Sequence, residues 1–108
     1  MSTNLGIFEL LVLMAVGAHG DAAYGVVIRR AVAASRGSDV SSGAVYTTLE
    51  RLERRRFVTS RRADPSEVRG GRPRRYYGLT RAGEAAIRAN YAAVRKLGGL
   101  AVDKLSKA

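Results

Sequence analysis

The first third of the chain holds two helix-like segments separated by a short polar break. Nearly every position between Leu5 and Ala18 is apolar, which predicts a first helix that is buried on almost all sides. His19-Gly20-Asp21 ends this helix, and Ala22–Arg36 predicts a second one, which Gly37 stops. The apolar positions of the second helix are Val26, Val27, Ala31 and Val32. One small domain cannot readily cover the first helix all round, so the pattern favours a second chain.

A third helix is predicted from the pair Ser41-Ser42 to about Arg55. Either serine hydroxyl can accept a hydrogen bond from an unpaired backbone N–H group and so cap the helix. One buried stripe follows the i, i+4, i+7 spacing and consists of Val45, Leu49 and Leu52. The side chains off this stripe are candidates to contact another molecule, and we select Ser42, Tyr46, Thr47 and Arg51. For Tyr46 the pattern leaves a core position equally open.

Residues 57–60 and 74–79 favour β-strands. Asp64-Pro65 and Gly70-Gly71 interrupt the segment between them, so residues 57–79 are predicted to form a β-hairpin. Side chains alternate between the two faces of a strand. This alternation assigns Tyr77 and Leu79 to the core, and Arg74 and Tyr76 to the exposed edge.

A final helix is predicted from Arg81 to about Ser106, with Thr80 as its cap. Six of its residues follow a 4-3-4-3-4 spacing, namely Ile87, Tyr91, Val94, Gly98, Ala101 and Leu105. Such a seam is typical of a helix that packs against another helix. Gly98-Gly99 should loosen or kink it, at about 1 kcal/mol per glycine relative to alanine. We therefore expect a homodimer through the first and last helices, with contacts from Phe8, Leu11, Ile87, Tyr91, Val94, Ala101 and Leu105.

The order helix, helix, helix, hairpin, helix predicts a winged helix-turn-helix. The fold class is thus mainly α with a small β-hairpin. Residues 1–79 would form the winged helix-turn-helix domain, and residues 80–108 the C-terminal dimerisation helix of the same compact unit. The 108 residues suit one domain of this kind.

The distribution of charge along the chain indicates what kind of partner it binds. The formal net charge is +10, and residues 51–75 hold ten arginines against three acidic residues, a net +7. Such a concentration of positive charge argues for an anionic partner. The densest part reads RGGRPRRYY, from Arg69 to Tyr77. Its glycines let the backbone turn and approach a phosphate closely, and its arginines can reach phosphates or a groove.

Four stretches read LGIFELLVLMAV, AYGVVIRR, SSGAVYTTLERLERR and GGRPRRYYGLTRAGEAAI, and they span residues 5–87. Together they resemble the PadR family of transcriptional regulators, of the type without a long C-terminal domain. The resemblance implies a homodimeric, repressor-type winged helix whose last helix packs on the partner's first helix. It places Tyr46 and Thr47 on a recognition helix that faces DNA. It places Gly70, Gly71, Arg72 and Arg74 in the wing, and Arg69 comes directly before them.

The sequence departs from the family pattern at Arg56, where glycine is usual at the end of the recognition helix. A non-glycine residue in a left-handed conformation carries roughly 1 kcal/mol of strain. The alternative is a helix that continues through Arg56. The last helix contains Tyr91 as its single aromatic residue, and nothing in the sequence identifies a small-molecule effector or its site.

The expected partner is double-stranded DNA with a palindromic operator, because a two-fold dimer presents two recognition helices. The alternative is a general nucleic-acid-binding protein, DNA or RNA, since arginines with tyrosines also suit stacking on single strands. An enzyme is disfavoured by the single histidine, the lack of cysteine and the lack of an acidic cluster. We expect no cofactor, no metal and no membrane association, with a cytoplasmic location as the default.

Overall fold

The computed structural model describes residues 3–64 and 74–107. It contains α1 (Ile7–His19), a single 3-10 turn (Gly20–Ala22), α2 (Gly25–Arg36), α3 (Ser42–Arg54), β1 (Val58–Arg62), β2 (Arg75–Leu79) and α4 (Arg81–Ser106). The predicted element order is confirmed. The fold is mainly helical with a two-stranded hairpin, the arrangement of a winged helix-turn-helix.

The core lies where α1, α2 and α3 meet. Its largest fully buried side chains are Leu13 of α1, Ile28 of α2, and Leu49 and Leu52 of α3. The predicted α3 stripe is confirmed, because Val45, Leu49 and Leu52 are all fully buried. In α1 the residues Leu10, Val12, Leu13, Ala15 and Val16 are buried, whereas Ile7 is exposed.

The prediction for α2 was partly wrong. The helix begins at Gly25 rather than Ala22, because residues 20–22 form the 3-10 turn and Tyr24 is extended. Its buried positions are Gly25, Ile28 and Val32, while Val26 is exposed. Gly25, Ile28 and Val32 follow the i, i+3, i+7 spacing of one helical face, so Ile28 is buried and Val26 is not.

The hairpin pairs β1 and β2 antiparallel, with Val58 opposite Leu79 and Ser60 opposite Tyr77. Tyr77 is buried, as predicted, and Leu79 is half-buried against the core. Tyr76 is half-buried rather than on an open edge, because Tyr24 forms an isolated β-bridge with it. The Tyr77 N–H also donates to the Ala23 carbonyl oxygen at 2.8 Å. Tyr24 therefore pairs with β2 as a third strand that is one residue long.

The end of α3 decides between the two alternatives for Arg56. The helix ends at Arg54, and Arg56 has a φ of 63°. The Phe57 N–H donates to the Leu52 carbonyl at 2.9 Å, and the Arg56 N–H donates to the Glu53 carbonyl at 3.0 Å. These two bonds form a Schellman motif, which places one residue in the left-handed region just past the helix. Arg56 occupies the position for which glycine is usual.

The start of α4 is tied to this turn. The Thr80 hydroxyl accepts a hydrogen bond from the Gly83 N–H at 3.0 Å and donates to the Arg56 carbonyl at 2.6 Å. Gly83 packs so closely on the Phe57 carbonyl oxygen that a Cβ there would overlap it. Thr80 is thus the cap that the sequence predicted, and it also connects α4 to the end of α3.

The second half of α4 extends away from the core. The helix runs without interruption to Ser106 through Gly98 and Gly99, where we expected a loosening or a kink. From Tyr91 to Lys107 every residue except Gly98 is exposed. Among the described residues, no helix is long and apolar enough to cross a membrane.

Candidate nucleic-acid interface

The exposed side of α3 carries the residues selected from the sequence. Ser41 caps the helix by accepting from the Ala44 N–H at 3.1 Å, which fixes its first turn. Ser42, Tyr46, Thr47 and Arg51 are all exposed, because the opposite side of the helix is taken up by the core. Within the described part of the chain, no hydrogen bond or ion pair engages the side chains of Thr47 and Arg51. They remain available to a partner.

Tyr46 is neither a core residue nor a free one. It is 45% exposed, and its hydroxyl group lies against Gly25 at the start of α2. A Cβ on Gly25 would overlap the Tyr46 hydroxyl oxygen, so the glycine makes room for this ring. The ring therefore joins the exposed side of α3 to the first turn of α2.

The structure adds a group of side chains that sequence reasoning did not find, which we call the arginine–tyrosine stack. It consists of Arg74, Tyr24, Tyr76 and Arg61. The Arg74 guanidinium carbon lies 4.4 Å from the centroid of the Tyr24 ring, and that of Arg61 lies 4.8 Å from the Tyr76 ring. The two rings meet edge to face, with centroids 5.6 Å apart and planes at 64°. Both distances from arginine to ring are within the range of a cation–π interaction.

Of the residues assigned to the wing, Arg74 is described, whereas Arg69, Gly70, Gly71 and Arg72 lie outside the described residues. Arg74 is exposed. A hydrogen bond to the Tyr76 side chain, helped by the nearby Tyr24, raises the pKa of Arg74 above its ordinary value. Arginine is positively charged in proteins in any case, and this interaction favours the charged form further.

The positive charge around α3 and the hairpin is only partly compensated. Arg55 lies 3.9 Å from a Glu9 oxygen, and Arg75 donates to the Ser60 hydroxyl, which in turn donates to Glu53. No ion pair within 4 Å joins Arg51, Arg54 or Arg62 to an acidic residue among those the structure describes. This face therefore keeps a net positive charge, which suits a polyanion.

The predicted dimer contacts fall into two groups. Phe8, Leu11 and Ile87 are half-buried and pack against their own chain's core. Tyr91, Val94, Ala101 and Leu105 are exposed on α4, with Leu105 at 73%. The structure also exposes Leu97, Leu100 and Val102, which the heptad spacing did not select because it follows a single stripe. The second half of α4 thus presents a wide apolar surface.

Comparison with known proteins relates this architecture to a described family. The model of the transcriptional regulator PadR-like family matches residues 12–89. No curated protein matches the chain.

Several solved structures share the fold. A PadR family transcription regulator from Clostridium difficile R20291 is 23% identical, with a TM-score of 0.74 over 93% of this chain and 99% of that one. A PadR family transcriptional regulator from Eggerthella lenta is 25% identical, with a TM-score of 0.69 over 94% and 84%. BpsR from Bordetella bronchiseptica, described with regulation of its DNA binding by 6-hydroxynicotinic acid, is 20% identical, with a TM-score of 0.69 over 92% and 66%.

Proposed function

Because the chain belongs to the PadR-like family of transcriptional regulators, we propose that it binds specific sequences of duplex DNA as a homodimer and represses its target genes. Membership of a transcriptional regulator family implies DNA binding and excludes an enzymatic role. The observation that carries the proposal is the exposed side of α3. There Thr47 and Arg51 have no polar partner among the residues that the structure describes, and the surroundings are rich in arginine.

In the proposed complex α3 enters the major groove. An α-helix fits this groove, and the groove presents a different pattern of donors and acceptors for each base pair. Arg51 can donate two hydrogen bonds to a guanine, and the Ser42 and Thr47 hydroxyls can serve either a donor or an acceptor. The arginines of the hairpin would contact phosphates, which fixes the position of α3 but does not read sequence.

Binding-site selection from random duplex DNA tests the assignment of α3. Thr47→Ala and Arg51→Ala should each change the preferred bases, since a lost base contact costs about 1–3 kcal/mol of discrimination. Lys107→Ala is the matched control for charge, because Lys107 lies at the far end of α4 and pairs with Asp103. It should keep the wild-type profile. If Thr47→Ala and Arg51→Ala both keep it too, α3 is not the element that reads bases.

The proposal of a homodimer is supported by the apolar surface of α4. Val94 is exposed in this surface, and Val94→Asp would place a charge in the buried seam of the proposed dimer. Sedimentation should then show a wild-type dimer at micromolar concentration, a shift of Val94→Asp toward monomer, and weaker DNA binding by that variant. Ala92→Asp, which adds the same charge on the polar side of α4, should leave the dimer intact. A wild-type monomer at micromolar concentration would contradict the proposal.

A dimer also predicts the form of the operator. Two recognition helices related by a two-fold axis meet half-sites about 34–36 Å apart or a multiple of that distance. The selected sequences should therefore form an imperfect palindrome. A single half-site without symmetry would contradict this expectation.

The alternative function is general binding of nucleic acid, including single strands. Half-buried tyrosines beside arginines favour it, because bases stack on aromatic rings. In the arginine–tyrosine stack, however, Tyr24 and Tyr76 each carry a guanidinium group on one ring face. Competition between a selected duplex, an unrelated duplex and single strands separates the two functions. Equal competition by all three would favour the alternative.

A small-molecule effector would be a further partner. DNA binding by the structural neighbour BpsR is described as regulated by 6-hydroxynicotinic acid. We extend to this chain the expectation of an effector without naming its chemical class. Thermal melts with and without small molecules of several chemical classes would test it, since a ligand that binds the folded state raises the melting temperature.

A further inference from the structure

We propose that Tyr24 and Tyr76 are positioning residues, which hold Arg74 in place for a DNA phosphate before DNA arrives. This inference rests on the proposed function. It adds a role for two residues that lie outside the recognition helix and do not themselves need to touch DNA.

The first part of the argument is how Arg74 is held. Its guanidinium lies over the Tyr24 ring at 4.4 Å, and the Tyr76 side chain interacts with it closely enough to raise its pKa. Two independent contacts on a planar cation restrict both its distance from the rings and its rotation. Arg74 nevertheless remains exposed, so a phosphate oxygen can still reach its remaining N–H groups.

The second part is how the two rings are themselves held. Tyr24 and Tyr76 form a backbone β-bridge, and the neighbouring Tyr77 N–H donates to the Ala23 carbonyl at 2.8 Å. The rings meet edge to face, and Arg61 covers the Tyr76 ring. The surface beneath Arg74 is thus fixed by the backbone of β2 and by the segment that precedes α2.

The third part is the connection to α3. Gly25 follows Tyr24 directly, and the Tyr46 hydroxyl of α3 packs against Gly25 without room for a Cβ. Arg74, Tyr24, Gly25 and Tyr46 therefore form a continuous path from the hairpin to the exposed side of the recognition helix. A phosphate contact made by Arg74 has a fixed spacing from the base contacts made by α3.

Such an arrangement lowers the free-energy cost of ordering the Arg74 side chain when DNA binds. An arginine that must be ordered when DNA binds lowers the affinity by roughly 2- to 10-fold, and a dimer carries two of them. Releasing Arg74 from the rings does not remove its charge. The number of phosphates it neutralises, and hence the dependence of binding on salt, should stay the same.

A double-mutant cycle of Tyr24→Leu and Arg74→Ala tests the proposal on one selected operator over a series of salt concentrations. Tyr24→Leu should weaken binding by roughly 2- to 10-fold per arginine with an unchanged slope of log K against log salt. Arg74→Ala should weaken binding and lower that slope by about 0.9 per lost phosphate contact, up to roughly twice that in a dimer. The double variant should bind like Arg74→Ala alone, because without the arginine there is nothing left to position.

Two controls accompany the cycle. Tyr24→Phe retains the ring and should bind close to wild type. Lys107→Ala combined with Tyr24→Leu should give purely additive effects, since Lys107 lies at the far end of α4. Circular-dichroism melts of every variant show whether it is folded. If Tyr24→Leu is not folded, Tyr76→Phe replaces it, because it keeps the ring and removes the hydroxyl group that raises the pKa of Arg74. The losses of affinity from Tyr76→Phe and Arg74→Ala should then also be non-additive, and the loss from Tyr76→Phe should be smaller than that expected from Tyr24→Leu.

The outcomes are distinct. Additive losses for Tyr24→Leu and Arg74→Ala would overturn the positioning role, because Tyr24 would then act through the fold alone. Additive losses in the Tyr76→Phe cycle would overturn it equally. A wild-type protein that binds no duplex DNA would instead refute the proposed function.

Discussion

Replacing Arg56 by glycine should stabilise the protein. Arg56 is in the left-handed region, with φ at 63°, because it is the left-handed residue of the Schellman motif at the end of α3. A left-handed conformation costs a non-glycine residue about 1–2 kcal/mol. Glycine avoids this cost, but it has more conformational freedom to lose on folding, which costs about 0.4–1 kcal/mol. The difference between these two ranges runs from about 0 to 1.6 kcal/mol, and its middle gives a net expected gain of about 0.5–1 kcal/mol.

The surroundings of Arg56 support this magnitude. Its side chain is exposed and makes no hydrogen bond or ion pair with any residue that the structure describes. The bonds that depend on this position are made by its backbone, whose carbonyl accepts from Thr80 and whose N–H donates to the Glu53 carbonyl. Glycine keeps both of them. For a domain of this size the gain corresponds to a rise in melting temperature of about 2–8 °C.

Urea unfolding followed by circular dichroism measures the effect. All variants must be compared at one protein concentration, because the stability of the proposed dimer would depend on concentration. Arg56→Ala is the control that removes the side chain and keeps the strain, and it should lie within about 0.5 kcal/mol of wild type. Arg56→Asn should lie between alanine and glycine, since asparagine tolerates the left-handed region. If Arg56→Gly is less stable than Arg56→Ala, the strain at this residue is not what we infer.

Three further predictions concern neighbouring features. Gly83→Ala should destabilise the protein by about 1–3 kcal/mol, because its Cβ would overlap the Phe57 carbonyl oxygen. Gly43→Ala should be neutral or stabilise by up to about 1 kcal/mol, because no described atom lies within 4 Å of the added Cβ. Equal effects of the two substitutions in urea unfolding would contradict this. Thr80→Ala should cost about 1–2 kcal/mol and Thr80→Ser much less, since serine keeps the capping hydroxyl; an equal loss for both would show that the hydroxyl is not what matters. Burial raises the pKa of Tyr77 above its ordinary value of 10.0. As the pH rises, the tyrosine of the unfolded chain therefore loses its hydroxyl proton before that of the folded chain does. The stability that Tyr77 contributes is thus lost as the pH rises above about 10. Tyr77→Phe should therefore lose less stability than wild type in unfolding series between about pH 9 and pH 11, and identical pH dependence would refute the assignment.

Features set by neighbours along the chain could be predicted from the sequence. The beginning of α3 follows from the hydroxyl of Ser41, the beginning of α4 from that of Thr80, and the core side of α3 from a spacing of four and three residues. Each of these signals lies within a few residues of the feature it determines. The start of α2 was missed, since nothing in the local pattern separates a 3-10 turn at residues 20–22 from the first turn of an α-helix.

Contacts between distant residues could not be predicted. Tyr24 and Tyr76 are separated by 52 positions in the chain, yet their rings meet. Gly25 packs against the Tyr46 side chain and Gly83 against the Phe57 backbone, and neither contact leaves room for a Cβ. These contacts exist only in the folded chain. The sequence therefore predicted a candidate site on α3 and the basic hairpin, which stays a prediction, whereas the arginine–tyrosine stack appeared only in the structure.

The second half of α4 has a further physical consequence. Between Tyr91 and Lys107 every residue except Gly98 is exposed, and the segment contains two glycines. A helix of this length without tertiary packing is marginal in water. Its backbone amides should thus exchange their hydrogens through local opening, well before those of α1 and α3. Pairing with a second copy of the chain would slow this exchange. The rate of deuterium uptake in the last turns of α4, measured at a series of protein concentrations, would therefore report the fraction of the protein that is paired.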